Sequence, residues 1–206
     1  MRILFAMMVV AAVSACSAIG APAPIIAPSV HDWRAAVTEQ DRKRLRDWRT
    51  SFTNAIAKAR AAGHGAELAA EGRLFDPDAA IPGAVPNGAY RCRIIKLGAR
   101  GEGLLDYIAY PAFACRVQQE RDLQGFAKLS GSQRPVGLIF PNDALRSVFL
   151  GTLVLGDESG TMQYGRDAER DLAGWVERVG PAQWRIILPA PRFESLTDVV
   201  ELVPAG

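Results

Sequence analysis

Histidine is nearly absent from this sequence, in which His31 and His64 are the only examples among 206 residues. Neither lies on a predicted strand beside a carboxylate or a nucleophile, and we interpret His64 as a residue that caps the end of a helix. A Gly-x-Ser-x-Gly elbow, a His-Glu-x-x-His motif and a phosphate-binding glycine loop are also missing. We therefore expect no catalytic residue of these classes, no metal and no cofactor.

Charge of one sign is not in excess either. Lys and Arg number 24, Asp and Glu number 22, and the formal net charge is +2. Nucleic-acid binding needs a concentrated basic surface, so we expect no nucleic-acid partner. The acidic residues of the densest acidic stretch are Asp157, Glu158, Asp167, Glu169 and Asp171. They alternate with arginines, a pattern typical of a solvated loop.

A long apolar run is missing too, although the N-terminus is apolar. Arg2 is followed by apolar residues over 3–13 and by a Val-Ser-Ala-Cys motif that ends at Cys16. A transmembrane helix needs about 20 apolar residues. A basic start, a short apolar run and small residues before a cleavage point instead indicate a secretory signal peptide. The motif at its end resembles the lipobox of bacterial lipoproteins.

The lipobox resemblance implies that Cys16 becomes the lipidated N-terminus of the mature protein. Residues 1–15 are then a signal peptide, and the Pro- and Ala-rich residues 16–30 form an extended tether. Ser17, rather than an aspartate, follows the cysteine, which in bacterial lipoproteins implies the outer membrane, facing the periplasm. Ordinary cleavage after Ala15 is the alternative, and it predicts a soluble periplasmic or secreted protein.

Lipidation of Cys16 leaves Cys92 and Cys115 as an even pair in an oxidising compartment. Neither has a further Cys or His at metal-ligand spacing. The alternation of a strand places Cys92 on one face with Tyr90 and Ile94, and Cys115 likewise has apolar neighbours. We predict a cross-strand disulfide, with two buried free thiols as the alternative.

Residues 31–206 form one predicted domain that begins with a helix. Thr38 and Asp41 have the spacing of a capping box, and glycines at 63 and 65 provide stop signals. Between them, apolar residues recur at steps of three and four. These residues are Leu45, Trp48, Phe52, Ile56 and Ala59. A stripe of this many apolar residues must be buried. We therefore expect the helix to pack on the outer wall of the following sheet or to close one end of it.

Eight strands are predicted in the rest of the chain, rich in branched and aromatic residues and separated by short Gly, Pro or Asp turns. Their ranges are 90–97, 107–118, 125–129, 136–140, 148–155, 172–179, 184–188 and 197–203. No helix-length stretch separates them, so antiparallel neighbours are favoured. The fold class is mainly β with an N-terminal α-helix. A meander of about eight strands predicts a small closed barrel, with a β-sandwich as the alternative.

A barrel of this size is either filled by its own side chains or holds one small ligand. The aromatic residues predicted to fill or line the interior are Tyr90, Phe113, Phe126, Phe140, Phe149 and Trp184. Arg192 and Glu194 lie with Phe193 in a Pro-rich loop, which we expect to plug one end of the barrel, with a recognition loop as the alternative.

Several segments of the domain form a set seen together elsewhere. They are Arg46-Asp47-Trp48-Arg49, Leu74-Phe75-Asp76-Pro77, Tyr90-Arg91-Cys92-Arg93, Lys96-Leu97-Gly98, the stretch 180–185, and Pro191-Arg192-Phe193-Glu194-Ser195. The set resembles an uncharacterised domain-of-unknown-function family of small exported proteins, mostly alphaproteobacterial. The resemblance covers most of the mature chain and implies no activity.

The sequence as a whole favours a non-enzymatic lipoprotein of the cell envelope that acts as a binding or assembly module. Its expected partners are the membrane, through the lipid anchor, and either a small apolar ligand or another envelope protein. An envelope hydrolase that uses a buried carboxylate pair is the alternative, although no nucleophile and base are visible together in the sequence.

A Cys16→Ala substitution tests the predicted anchor. We expect it to block labelling by a palmitate analogue and to abolish cleavage by the lipoprotein signal peptidase, because the thiol that accepts the lipid is gone. Labelling is compared with that of the parent chain in cells fed the analogue. Labelling that survives the substitution contradicts the lipoprotein assignment.

Overall fold

The computed structural model describes residues 31–156 and 158–206 of the chain. The predicted signal peptide, the lipidated Cys16 and the tether of residues 16–30 lie outside these ranges, as does Asp157. Within them, the chain has the predicted mainly β structure with a helical N-terminal part.

The helices of the described residues all precede the sheet. They are α1 (Trp33–Ala36), α2 (Glu39–Arg46), α3 (Trp48–Ala61), α4 (Gly65–Ala70) and a 3₁₀ helix (Gly72–Phe75). Thr38 caps α2 as predicted, because its hydroxyl accepts a hydrogen bond from the Asp41 amide at 3.2 Å. The single predicted helix is in fact two, since Asp47 ends α2 and begins α3. None of the helices in the described ranges combines the length and the apolar character needed to cross a membrane.

The strands of the described residues form one antiparallel sheet that closes on itself. They are β1 (Gly88–Ala99), β2 (Tyr107–Ala109), β3 (Phe113–Glu120), β4 (Leu123–Lys128), β5 (Gln133–Pro141), β6 (Arg146–Leu155), β7 (Asp171–Gly180), β8 (Gln183–Pro189) and β9 (Ser195–Pro204). Strands β1 and β3 to β9 follow one another around a barrel, and β9 pairs back with β1. The predicted closed barrel of eight strands is therefore confirmed, and the sandwich alternative is wrong.

The predicted strand 107–118 is interrupted, and this explains the ninth strand. Pro111 has no amide hydrogen to donate to a neighbouring strand, and the chain leaves the sheet between β2 and β3. As a result, β1 pairs with β2 along its second half and with β3 along its first half.

Alternation along the strands sends every second side chain into the barrel. Cys92 and Cys115 both lie in this interior and are joined by the predicted cross-strand disulfide, with their Cα atoms 6.1 Å apart. The bond links β1 to β3, where Cys92 faces Phe113 and Cys115 faces Tyr90 in the register. Closing a loop of this length contributes about 3 kcal/mol on the chain-entropy model.

The aromatic residues predicted for the interior lie there with one exception. Tyr90, Phe126, Phe149 and Trp184 belong to the inner cluster, and Phe113 packs against it. Phe140 is buried outside the barrel instead, in a cluster that contains Trp33 and Leu45. Its neighbour Ile139 takes the inward position, so the alternation of β5 turns Phe140 toward the helices.

The helices cover the outer wall of the barrel, as one of the two predictions proposed. The apolar stripe of α3 packs in one cluster with outward residues of β1, β8 and β9, including Ile95, Ile187 and Val199. The contact is close at Gly98, where a Cβ would lie 3.0 Å from the Cα of Ala55. Gly98 also has a φ of +69°, which L side chains rarely adopt.

One end of the barrel is closed by the segment 81–86 that precedes β1. Val85 is buried inside the barrel, and its carbonyl accepts a hydrogen bond from Gln124 Nε2 at 2.9 Å. The Tyr90 hydroxyl donates to the Pro86 carbonyl at 2.6 Å. This plug differs from the predicted one, because the loop with Arg192 and Glu194 lies between β8 and β9, at the other end.

The start of the described chain is held at the plugged end. The indole N–H of Trp33 donates to Asn142 Oδ1 at 3.0 Å, and the ring of His31 lies 3.8 Å from the carboxylate of Asp122. Asn142 belongs to the β5–β6 turn and Asp122 to the β3–β4 turn, both at that end.

A Phe52→Ala substitution measures how far the helices belong to the core. Phe52 is 0% exposed, and truncating a buried aromatic side chain typically costs about 3–5 kcal/mol. We expect the free energy of unfolding measured in urea melts to fall by that amount in the variant. Asn54→Ala, at an exposed position of the same helix, is the matched control and should change stability by no more than about 0.5 kcal/mol. Equal midpoints for Phe52→Ala and the parent contradict the packing described for α3.

Candidate functional site

The end of the barrel opposite the plug opens into a cavity of about 450 Å³. This volume lies within the range of about 300–1,000 Å³ that is typical of small-molecule pockets. The loops that follow β4, β6 and β8 lie at this end, and Tyr110 and Pro111, in the break between β2 and β3, also line the cavity. The apolar part of the lining includes Ile94, Phe113, Leu153, Leu172 and Leu188. Most of these side chains belong to the inner cluster of the barrel, so the cavity is continuous with the barrel interior. Charged and uncharged polar residues also line it.

Lys96 and Asp198 are the most deeply buried charged residues of this wall. They face each other in the register of β1 and β9, both turned inward. Lys96 Nζ lies 3.2 Å from Asp198 Oδ2 and 3.2 Å from Glu194 Oε2. The Ser195 hydroxyl donates to the other oxygen of Asp198. One ammonium therefore bridges two carboxylates.

The protonation of this group follows from its burial and charges. Burial alone lowers the pKa of Lys96, but the attraction of Asp198 and Glu194 outweighs it, and the pKa is raised. Burial raises the pKa of Asp198 against the opposing effect of Lys96. Lys96 consequently stays an ammonium, so it donates hydrogen bonds and is not available as a base.

The β8–β9 loop that supplies Glu194 has an unusual backbone. Ala190 and Glu194 have φ values of 48° and 67°, a left-handed conformation that non-glycine residues seldom adopt. The Glu194 carbonyl accepts a hydrogen bond from the Arg100 amide at 2.9 Å, and Arg192 pairs with Glu169 of the β6–β7 loop. The loop lines the cavity mouth. Residues held in such conformations concentrate at binding and catalytic sites.

Lys128 enters the cavity from a separate part of the wall, at the end of β4. Its Nζ donates to the Gln133 carbonyl at 2.7 Å and lies 4.5 Å from the centre of the Phe113 ring. Burial lowers the pKa of Lys128, and the positive charges of Arg134 and Lys96 lower it further.

The β6–β7 loop beside the cavity is tied to α2 by a buried polar cluster. The Tyr164 hydroxyl donates to Asp41 Oδ2 at 2.6 Å, and Arg44 donates to Asp41 Oδ1 at 2.8 Å. Asp171 Oδ1 accepts from the Gly165 amide at 2.9 Å. Burial raises the pKa of Asp171 to about 6, with the negative charge of Asp41 adding to the effect.

The prediction of a solvated acidic loop is therefore wrong for Asp171, which is 5% exposed. It begins β7 and faces the helices, so it is covered by α2. Glu158 and Asp167 are partly exposed and pair with Arg170 at 2.8 and 3.5 Å, as expected of a surface loop.

Both histidines lie away from the cavity. The ring of His64 bonds to Glu67 at 3.1 Å and stacks on Tyr107, whereas His31 is exposed at the plugged end. The residues that do line the cavity include Lys96, Lys128 and Asp198, none of which is predicted as a site residue from the sequence. The alternation of inward and outward side chains along the strands could have identified them, because each lies on the same strand face as inward apolar residues.

An Asp171→Asn substitution should flatten part of the pH dependence of stability. The folded-state pKa of Asp171 is about 6 against an ordinary 3.8, so the native carboxyl holds its proton more tightly than the unfolded one. The stability that this proton contributes is lost as the pH rises from about 4 to about 6. The variant has no such proton and should gain up to about 3 kcal/mol relative to the parent between those limits.

The measurement is a series of urea melts across this pH range, with Glu102→Gln, at an exposed loop position, as the control. Identical pH profiles for the parent, Asp171→Asn and Glu102→Gln would contradict the raised pKa of the buried carboxyl.

Comparison with known proteins identifies a family. The model of a domain of unknown function, DUF4893, matches residues 33–202, a range that includes the residues lining the cavity. No curated protein and no solved structure matches the chain significantly. The resemblance to an uncharacterised domain family is thereby confirmed, whereas export, the lipoprotein signal and an alphaproteobacterial origin stay predictions. The chain belongs to the DUF4893 family of domains of unknown function.

Proposed function

We propose that this protein is a non-enzymatic binding module of the cell envelope, whose barrel takes a small, mainly apolar ligand into its open end. The observation that carries the proposal is the asymmetry of the barrel. The segment 81–86 fills one end, while the other end keeps a cavity of about 450 Å³ lined by apolar residues and a few convergent charges. This combination is the usual composition of a small-molecule site.

The proposal also includes the cellular location of the protein. A lipid on Cys16 holds it at the outer membrane, facing the periplasm, and the sequence pattern around that cysteine supports this. Release after Ala15 as a soluble periplasmic or secreted protein is the alternative. In either compartment the disulfide between Cys92 and Cys115 is chemically favoured, because both compartments are oxidising.

The hydrolase alternative has one observation in its favour, the carboxylates of Glu194 and Asp198 beside the cavity. Acid and base catalysis by such a pair requires that the two groups act on a substrate lying between them. Here both carboxylates lie 3.2 Å from Lys96 Nζ. Because the ammonium occupies that position, the arrangement supports binding better than hydrolysis.

A Ser130→Trp substitution tests the cavity as the binding site. Ser130 lines the cavity in the β4–β5 loop, and an indole there should obstruct the mouth without replacing a core residue. We expect the neutral dye N-phenyl-1-naphthylamine to bind the parent with a rise in fluorescence. The variant should bind it at least about tenfold more weakly, a loss of about 1.4 kcal/mol.

Ser159→Trp is the matched control, because Ser159 is an exposed loop serine at the same end that does not line the cavity. It should leave the dye affinity unchanged, and thermal melts should show that both variants are folded. Equal dye affinity for Ser130→Trp and the parent, or no dye binding by the parent, contradicts the proposal.

A further inference from the structure

Lys128 has hydrogen-bonding capacity that the protein does not use. An ammonium carries three hydrogens to donate, and the contact made by Nζ in the described residues is to the Gln133 carbonyl at 2.7 Å. The methylene chain and the face of the Phe113 ring hold the head group in position, with Nζ 4.5 Å from the ring centre. The group therefore lies in the cavity wall with more donors than the Gln133 carbonyl accepts.

Lys128 differs from the other cations of the cavity in its charged neighbours. Lys96 is matched by two carboxylates and Arg192 by Glu169. Among residues 31–156 and 158–206, no carboxylate oxygen lies within 4.0 Å of Lys128 Nζ. In addition to burial, the positive charge of Arg134 lowers the pKa of Lys128, and that of Lys96, which is itself paired with two carboxylates, adds less.

Arg134 strengthens this local positive potential. Its guanidinium donates to the carbonyls of Gly131, Gly156 and Glu158, at 2.7, 2.5 and 2.8 Å. These three bonds fix the guanidinium behind the β4–β5 loop, where its positive charge lowers the pKa of Lys128. A half-buried cation beside a second, fixed cation is an unfavourable arrangement that a bound anion would relieve.

We propose that the ligand of this cavity is an amphiphilic organic anion, with its acidic head group on Lys128 and its apolar body against Ile94, Leu153 and Leu172. The inference rests on the proposed function and adds the chemical class of the ligand. The excess negative charge of Glu194 and Asp198 on the other wall repels the head group and directs it to Lys128. A carboxylate and a phosphate monoester share the chemistry that Lys128 recognises.

Calorimetric titration of the purified protein with octanoate, octyl phosphate and 1-octanol tests the inference at neutral pH. The three probes have the same apolar body and differ in the head group. We expect at least one of the anions to bind the parent about tenfold or more tightly than the alcohol does, the size expected of charge-assisted hydrogen bonds. The preferred anion distinguishes a carboxylate ligand from a phosphate ligand.

Variants at position 128 assign the effect to this residue. Lys128→Gln should remove the preference for the anion and leave the affinity for the alcohol unchanged, whereas Lys128→Arg should retain most of the preference. Lys43→Gln, on the exposed side of α2, changes the net charge equally and should have no effect. Thermal melts of each variant establish that it is folded.

The outcomes separate this inference from the function on which it rests. Equal binding of the alcohol and both anions, or an anion preference that survives in Lys128→Gln, overturns the anion inference and leaves the binding function intact. Failure of all three probes and of the naphthylamine dye to bind the parent overturns both.

Discussion

Pairing between β1 and β9 is the constraint on which the rest of the structure depends. It turns an antiparallel meander into a closed surface, so that inward side chains share a finite interior. The same pairing places Lys96 directly opposite Asp198. Strand β1 also joins β3 through the disulfide at Cys92 and supports α3 at Gly98. Strand β1 therefore takes part in closing the barrel, in the disulfide, in packing α3 and in the charged group of the cavity.

The layer of helices is held to the barrel by polar contacts as well as apolar ones. Arg185 is 0% exposed and lies outside the barrel, where it donates two hydrogen bonds to Glu177 Oε2 at 2.6 and 2.8 Å. It also donates to the Leu74 carbonyl at 2.6 Å and lies over the ring of Phe52. A buried ion pair is weak evidence for stability by itself. The bond to the Leu74 carbonyl and the contact with Phe52 instead favour this placement of the 3₁₀ helix and α3, because other placements would leave Nη1 of Arg185 without its carbonyl partner.

Alternation and turn residues predict most of the fold from the sequence. They predict the eight barrel strands and the shared face of Cys92 with Tyr90, although they leave the sandwich open. The stripe around Phe52 predicts a helix packed either on the outer wall or across one end. The break at Pro111 was visible in the sequence, but its effect depends on how β1 divides its pairing between β2 and β3. Phe140 was misassigned because an aromatic residue suits either face of a wall that is buried on both sides.

The candidate site could not be predicted from alternation and turn residues, and the cause is physical. Glu194 and Lys128 lie in a shared cavity only because loops distant in sequence converge at one end of a closed barrel. Whether a barrel end is plugged or open depends on a segment, 81–86, that has no periodic pattern to reveal it. Lys96 and Asp198 could have been noticed as charges on apolar faces, yet their pairing required the register.

The attachment of α1 to the plugged end determines which end of the barrel lies nearer to the proposed lipid anchor. Trp33 and His31 bring the start of the domain to the turns that carry Asn142 and Asp122. A lipid anchor preceding this point would attach the barrel to the bilayer by its plugged end. The cavity mouth would then lie at the end of the barrel far from the bilayer, and a ligand would enter it from solution. A ligand taken directly from the supporting bilayer would have to pass the full length of the barrel to reach the mouth.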